Sequence, residues 1–294
     1  MNHPLGGQPT VTNKPSILYV TAAWMRTAKI GAVMDLFAKH GAIVIRGALP
    51  NEACLSYNKD ALRQDPFRDG AVIRRAQLQC DVPDAFNPFL ERHGTTATYI
   101  DLSLDDLLEL RDATQPYPPV ISLLSYPRGH IIRHVGNRAL QSEESDNDVN
   151  EYIPFLRQVH DINDAQAWDA LGHLPRATED LDPPSAISAW EMWQLRGSYH
   201  PPHMDFGGTC TGVLMLSGEK VWMHFDSTHA SAQLHLNMAA QEPFPNTLGV
   251  GVLLRAGDAM FTAPRLHSVI STKDCIVKGS NFYSMVQMRE TLRA

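Results

Sequence analysis

The spacing of apolar residues changes period along the chain, and the changes predict its elements. After a Gly-, Pro-, Asn- and Thr-rich start at residues 1–15, expected as a loose tail, Ile30, Val33, Met34 and Phe37 recur at helical spacing within Ala23 to His40. Gly41 stands where such a helix would stop. Ala42 to Arg46 (AIVIR) predicts a buried strand, Pro50 to Leu62 a second helix, and Leu102 to Leu110 a short helix with Ser103 as its cap. From residue 183 to 225 and again from 248 to 288 the pattern becomes strand-like, with a loop near Pro243 to Asn246 between the two stretches. Helices first and strands later predict a mainly β chain with flanking helices.

Composition narrows the class without choosing a function. At 294 residues and 44% hydrophobic content the chain is sized for one large domain or two small ones. The longest apolar runs, such as Leu248 to Leu254, are strand-sized, so no bilayer-spanning segment is expected, and the polar start predicts no secretory signal. Cys54, Cys80, Cys210 and Cys275 form no C-x-x-C pair, which excludes a zinc ribbon and fits free thiols inside a cell, in nucleus or cytoplasm. A formal charge of −7 argues against nucleic-acid binding through a basic surface and is compatible with a basic peptide partner. The polar run Gln141 to Glu151 reads as a solvated loop.

The chemistry concentrates in His203-Met204-Asp205-Phe206-Gly207-Gly208-Thr209. If this stretch is a strand, His203 and Asp205 point to one face and can reach one ion together. His267 downstream supplies a third donor. Two imidazoles and one carboxylate on one side of a metal leave the opposite positions open, the arrangement that suits non-haem Fe(II) and O₂. Gly218 predicts a hairpin turn, and the alternating run after it would carry Lys220 back toward the metal. A lysine aimed into a barrel needs an anion, and the distal carboxylate of 2-oxoglutarate would supply one. Asn281, in the strand-like run Asp274 to Tyr283, could offer its amide to the co-substrate or to iron-bound oxygen, or merely satisfy backbone groups at a strand end. A rival H-x-D, His224-Phe225-Asp226, lacks the following glycines. His224 shares a strand face with Lys220 and Trp222, so it either lines the pocket or is a hydrogen-bonded core histidine.

These residues carry a family likeness. Arg196-Gly197-Ser198-Tyr199 through Lys220, then Ala256-Gly257-Asp258 through Phe282, resemble the Jumonji C (JmjC) oxygenases, nearest to the F-box and PHD-finger lysine demethylases. Val120 to Leu123 resembles an early strand of that branch, so the likeness covers about residues 119–284. It implies a double-stranded β-helix, a cupin-like jelly roll, with a tail at 1–15, an N-terminal helix–strand–helix region at 16–118 packing on the barrel, and the catalytic core at 119–294. It implies Fe(II) on His203, Asp205 and His267, 2-oxoglutarate on Lys220, and O₂ as oxidant. It also implies hydroxylation or N-demethylation of a protein side chain, with methyl-lysine in a histone tail as the first expectation.

Three positions depart from that branch. His200 stands where a threonine is usual, Val213 where a tyrosine helps hold the co-substrate, and Pro119 where an asparagine is expected. His200 either contacts co-substrate or substrate or faces solvent. Val213, Trp222, Tyr199 and His224 are candidate pocket-lining residues, although core packing also suits Trp190, Trp193 and Tyr199. The changed contacts keep two other readings open: a stand-alone small-molecule hydroxylase and a catalytically silent JmjC-fold binding protein.

Overall fold

The computed structural model describes residues 16–63, 74–78, 99–112, 121–126, 189–205, 208–225, 249–282 and 284–292. The tail at 1–15, Pro119, the polar run at 141–151, Asp226 of the rival pair and the loop near Pro243 lie outside these residues.

The chain begins with strand β1 (Leu18–Thr21), helices α1 (Ala22–Thr27) and α2 (Ile30–His40), and strand β2 (Ala42–Arg46). The single helix expected over Ala23 to His40 is broken at Ala28 and Lys29, both extended. Thr27 contributes to the break, its hydroxyl donating to Ala23 O and Trp24 O and competing with the helical ladder. α2 buries Val33 and Phe37, and Gly41 ends it in the left-handed conformation (φ 65°), its N–H donating to Phe37 O at 2.8 Å. β1 and β2 pair in parallel across this helical connection.

The helix expected over Pro50 to Leu62 is two short pieces, a 3₁₀ turn at Asn51–Ala53 and α3 (Lys59–Arg63). Between them Leu55 N donates to Leu216 O at 2.7 Å, which docks the backbone in an extended conformation. Asn58 then starts α3 by accepting from the Asp60 and Ala61 amides. Tertiary docking and a cap override the periodicity here. Strands β3 (Arg74–Leu78) and β4 (Tyr99–Leu102) follow, then α4 (Leu104–Asp112). Ser103 caps α4 as expected. Its hydroxyl accepts from Asp106 N at 3.0 Å while the Asp106 carboxylate accepts from Ser103 N at 2.9 Å, a reciprocal capping box.

The remaining strands are β5 (Ile121–Tyr126), β6 (Ala189–Gln194), β7 (Tyr199–His203), β8 (Cys210–Ser217), β9 (Glu219–His224), β10 (Val250–Arg255), β11 (Ala259–Thr262), β12 (His267–Ser271) and β13 (Cys275–Phe282). Among the described residues they form two sheets. A nine-stranded sheet runs β1-β2-β11-β8-β13-β6-β5-β3-β4, and a four-stranded sheet runs β10-β9-β12-β7. The architecture is mainly β with flanking helices, a jelly roll. Gly218 (φ 75°) does not make the expected hairpin. β8 and β9 belong to different sheets, so this glycine carries the chain from one sheet to the other. It has no room for a side chain, because an added Cβ would collide with Asp274 O.

Both faces of the large sheet are covered, and this explains why every residue of β8 is buried. One face, with Ile43, Ile45, Leu214, Leu216, Phe261, Ile276 and Phe282, packs against Phe37 and the α4 leucines. The other, with Val44, Val213, Met215, Met260, Cys275 and Val277, meets Trp222, Val252, Leu254 and Val269 of the small sheet. That second layer is the barrel interior. Arg46 crosses the rim to pair with the Asp258 carboxylate, tying β2 to the turn before β11.

Candidate metal centre

The small sheet brings the expected donors together at one end of the barrel. His203 ends β7 and His267 begins β12, and the two are register partners with ring centroids 4.4 Å apart. Asp205 is not on the strand, contrary to the expectation of two ligands sharing one strand face. β7 stops at His203, and Met204 and Asp205 lie just beyond it in irregular chain. This segment still delivers the carboxylate, with Asp205 Oδ1 3.8 Å from His203 Nε2 and 4.0 Å from His267 Nε2. One donor atom from each of the three residues lies within 4.8 Å of the other two.

Two contacts fix which atoms face inward. The Thr211 hydroxyl, on β8, donates to Asp205 Oδ2 and leaves Oδ1 toward the imidazoles. His267 Nδ1 lies 2.8 Å from Arg265 O, and a carbonyl can only accept, so Nδ1 carries the proton and the Nε2 lone pair is bare. Burial holds His267 below the ordinary imidazole range against the opposing pull of the Asp205 carboxylate. Trp222 stacks on its ring at 5.0 Å and 25°. A triangle with edges near 4 Å places its corners roughly 2.5 Å from a common centre, so closure by a few tenths of an ångström reaches the ~2.0–2.2 Å of metal–nitrogen and metal–carboxylate bonds. The triad could hold a metal ion.

Below the triad, β9 presents Lys220, Trp222 and His224 to the interior, each under 5% exposed, while Val221 and Met223 between them are only partly buried. Lys220 is therefore no surface lysine. Burial lowers its ammonium from the ordinary lysine value, and its Nζ donates to Gln194 Oε1 on β6. His200 faces the same interior, where its Nε2 lies 2.8 Å from Gln194 Nε2. Burial, then the Lys220 ammonium and the imidazoles of His203 and His267, pushes His200 down to about 3. His224 is fully buried, and among the described residues neither of its ring nitrogens has a hydrogen-bond partner, so the hydrogen-bonded core reading is not met. Asn281, on β13, is the register partner of Thr211 and so lies one strand from the Asp205 support. Val213 lines the interior at 4% exposure.

Tyr199 needs correction as a pocket-lining candidate. It pairs with Ile270 on the outer face of the small sheet, and both are exposed, at 44% and 39%. Trp193 is fully buried in the layer behind the large sheet, where it packs on Tyr57 at 5.3 Å, as core packing requires. The sequence reading missed Gln194, Thr211 and the Arg265 carbonyl. Gln194 and Thr211 are buried polar residues on strands, a signal visible only once the inward face of each strand is known.

No protein-family profile matches the chain. Three relatives share the printed name JmjC domain-containing histone demethylation protein 1. That of Saccharomyces cerevisiae is 25% identical over 152 residues, covering 48% of this chain and 31% of the relative. That of Debaryomyces hansenii is 23% identical over 163 residues (45% and 31%), and that of Candida albicans is 28% identical over 130 residues (37% and 27%). The chain therefore spans under a third of the length of the curated relatives it matches.

Proposed function

We propose, on the premise that the chain is a JmjC-domain protein, that it works as an Fe(II)- and 2-oxoglutarate-dependent oxygenase. The observation that carries this reading is the pair of contacts that pre-set the donors. Thr211 aims Asp205 Oδ1, and Arg265 O leaves His267 Nε2 bare, beside His203 Nε2. A two-nitrogen, one-oxygen donor set on one side of an ion fits Fe(II) with open positions opposite. His203, Asp205 and His267 would hold the metal. Bound iron would supply O₂ activation coupled to oxidation of 2-oxoglutarate to succinate and CO₂, with hydroxylation of a substrate C–H bond, which on an N-methyl group ends in formaldehyde and the demethylated amine.

The chain's own residues orient and exclude. Lys220, 2% exposed, would take the distal carboxylate of 2-oxoglutarate, with His200 and Asn281 as further polar contacts. The apolar wall of Val213, Trp222 and Val269 keeps water from the reacting end. Residues 119–294 would be the catalytic core and 16–118 its N-terminal support.

For the substrate we favour a protein side chain, with methyl-lysine of a histone tail first, because the matched relatives are named as histone demethylation proteins and this chain's −7 charge suits a basic peptide. With such a substrate the protein would act inside the cell, in nucleus or cytoplasm. Among the described residues no helix is long and apolar enough to cross a membrane. A small-molecule hydroxylase is the second reading, favoured by Val213 making the interior more apolar. Incubation with di- and trimethylated histone peptides, followed by formaldehyde release and mass loss, separates the two. Succinate production without modification of any peptide would reject the protein substrate.

A further inference from the structure

We infer that Gln194 sets the keto-acid selectivity of this site, by giving the buried Lys220 a neutral partner and so reserving its charge for an incoming carboxylate. The inference rests on the metal and co-substrate reading above.

Lys220 Nζ can only donate, so the Gln194 atom facing it is Oε1, and Nε2 is left to face His200 Nε2 at 2.8 Å. The amide N–H donates there, and the accepting ring nitrogen is unprotonated. Three polar side chains thus join across the barrel, from β9 through β6 to β7, with Gln194 at the centre and fully buried. The register confirms which way Gln194 points. It pairs with Cys275, an interior residue, whereas its strand neighbour Trp193 pairs with Ile276 of the opposite layer.

The described surroundings of Lys220 offer its ammonium no counter-charge. Among the described residues no carboxylate lies within ion-pair distance of Lys220. Glu191, the buried acid of β6, is on the other side of the large sheet and accepts from Trp193 Nε1 at 2.7 Å. Cys275 is a further polar group against the lysine, beside the lysine's register partner Ser271. Its thiol is engaged with Ser271 Oγ at 3.4 Å, and burial keeps it above the ordinary thiol range, hence neutral. A neutral amide takes one of the ammonium's three N–H donors and fixes its direction without cancelling its charge. The other two donors remain for a ligand. A glutamate at position 194 would have nearly the same shape and would close the pair internally. The choice of amide over carboxylate therefore decides whether the barrel requires a dicarboxylic keto acid or is indifferent to the second carboxylate.

The test uses Mn(II)-loaded full-length protein under anaerobic conditions, with calorimetric titration of 2-oxoglutarate and of pyruvate, which lacks the distal carboxylate. The parent protein should bind 2-oxoglutarate about 100-fold or more tightly than pyruvate. Gln194→Glu should remove most of that preference by weakening 2-oxoglutarate alone, with Mn(II) and pyruvate affinities within about threefold of the parent. Gln194→Met, similar in volume and uncharged, should weaken 2-oxoglutarate by about tenfold because the donor direction is lost, and so keep roughly a tenth of the parent preference, more than the glutamate variant retains. It tests the inference even if the glutamate variant fails to fold. A parent protein that binds 2-oxoglutarate selectively, together with variants that bind it equally well, would overturn the role of Gln194 alone. A Mn(II)-loaded parent that does not bind 2-oxoglutarate would overturn the co-substrate reading beneath it.

Discussion

Replacing Thr211 by valine removes one hydroxyl and little else. Thr211 is 2% exposed in β8, with its backbone held between Thr262 of β11 and Asn281 of β13, so valine can occupy the same volume on an unchanged strand. What disappears is the donor to Asp205 Oδ2. A hydrogen bond to a charged acceptor contributes about 1.5–3 kcal/mol. The Asp205 side chain keeps 20% exposure, so water recovers part of the loss and the lower end of the range applies. About 1.5–2 kcal/mol corresponds to roughly 10–30-fold weaker metal binding, because a carboxylate free to rotate must be ordered when the ion arrives. Titrating metal-free protein anaerobically with Mn(II), and following free Mn(II) by electron paramagnetic resonance, measures this directly. Near-ultraviolet circular dichroism shows whether the fold is kept. A folded Thr211→Val protein that binds Mn(II) as tightly as its parent would refute the assignment of Asp205 as a ligand aimed by Thr211.

Other outcomes follow from the same geometry. His267→Ala should abolish tight Mn(II) binding and succinate formation while secondary structure persists; retained turnover would dismiss the triad. Lys220→Ala should raise the 2-oxoglutarate requirement by about 100- to 1,000-fold with little change in Mn(II) affinity, and an unchanged binding curve would reject the pairing. His224 is held well below its ordinary value by burial first, then by His267 and Arg265, so it stays neutral when folded and takes up a proton on unfolding below about pH 6.5. Metal-free protein should therefore lose stability as pH falls below about 6.5, this residue adding to the loss. Urea unfolding at pH 7 and pH 5 should show a shallower loss in His224→Leu, and identical pH slopes would exclude the effect. Gly218→Ala should be destabilised by about 1–3 kcal/mol from the positive φ, with the Asp274 carbonyl clash added. A melting temperature equal to the parent's would contradict the sheet-crossing geometry.

Local signals were the readable ones. Period-2 alternation placed β9, a strand-like run placed β13, Gly41 marked the end of α2, and Ser103 the start of α4. The three donors were legible as residue types with suitable spacing, and the structure brings them together even though Asp205 stands beyond its strand. What was hidden depends on strands distant in sequence. The break of the second helix comes from Leu55 docking on Leu216, and the crossing at Gly218 from which sheets β8 and β9 join. Gln194 became visible only when β6 was seen to put it opposite Lys220. The outward turn of Tyr199 likewise follows from the β7–β12 register, including its irregularity between His267 and Val269, and spacing alone does not encode it.

The N-terminal strands have a consequence for how small the working protein can be made. β2 pairs with β11 in register along all four residues from Ala259 to Thr262, and Ala263 N donates to Gly41 O at 2.7 Å. Gly41 also leaves the space that the Arg265 guanidinium occupies, since a Cβ there would collide with it, and the Arg265 carbonyl sets the His267 proton. A fragment begun at residue 119 would strip this flank, turn β11 into a bare sheet edge inviting self-association, and loosen the segment that leads into a proposed iron ligand. The proposed catalytic unit is not excisable at residue 119: residues near 41, more than 200 positions upstream of His267, help hold that proposed ligand in place.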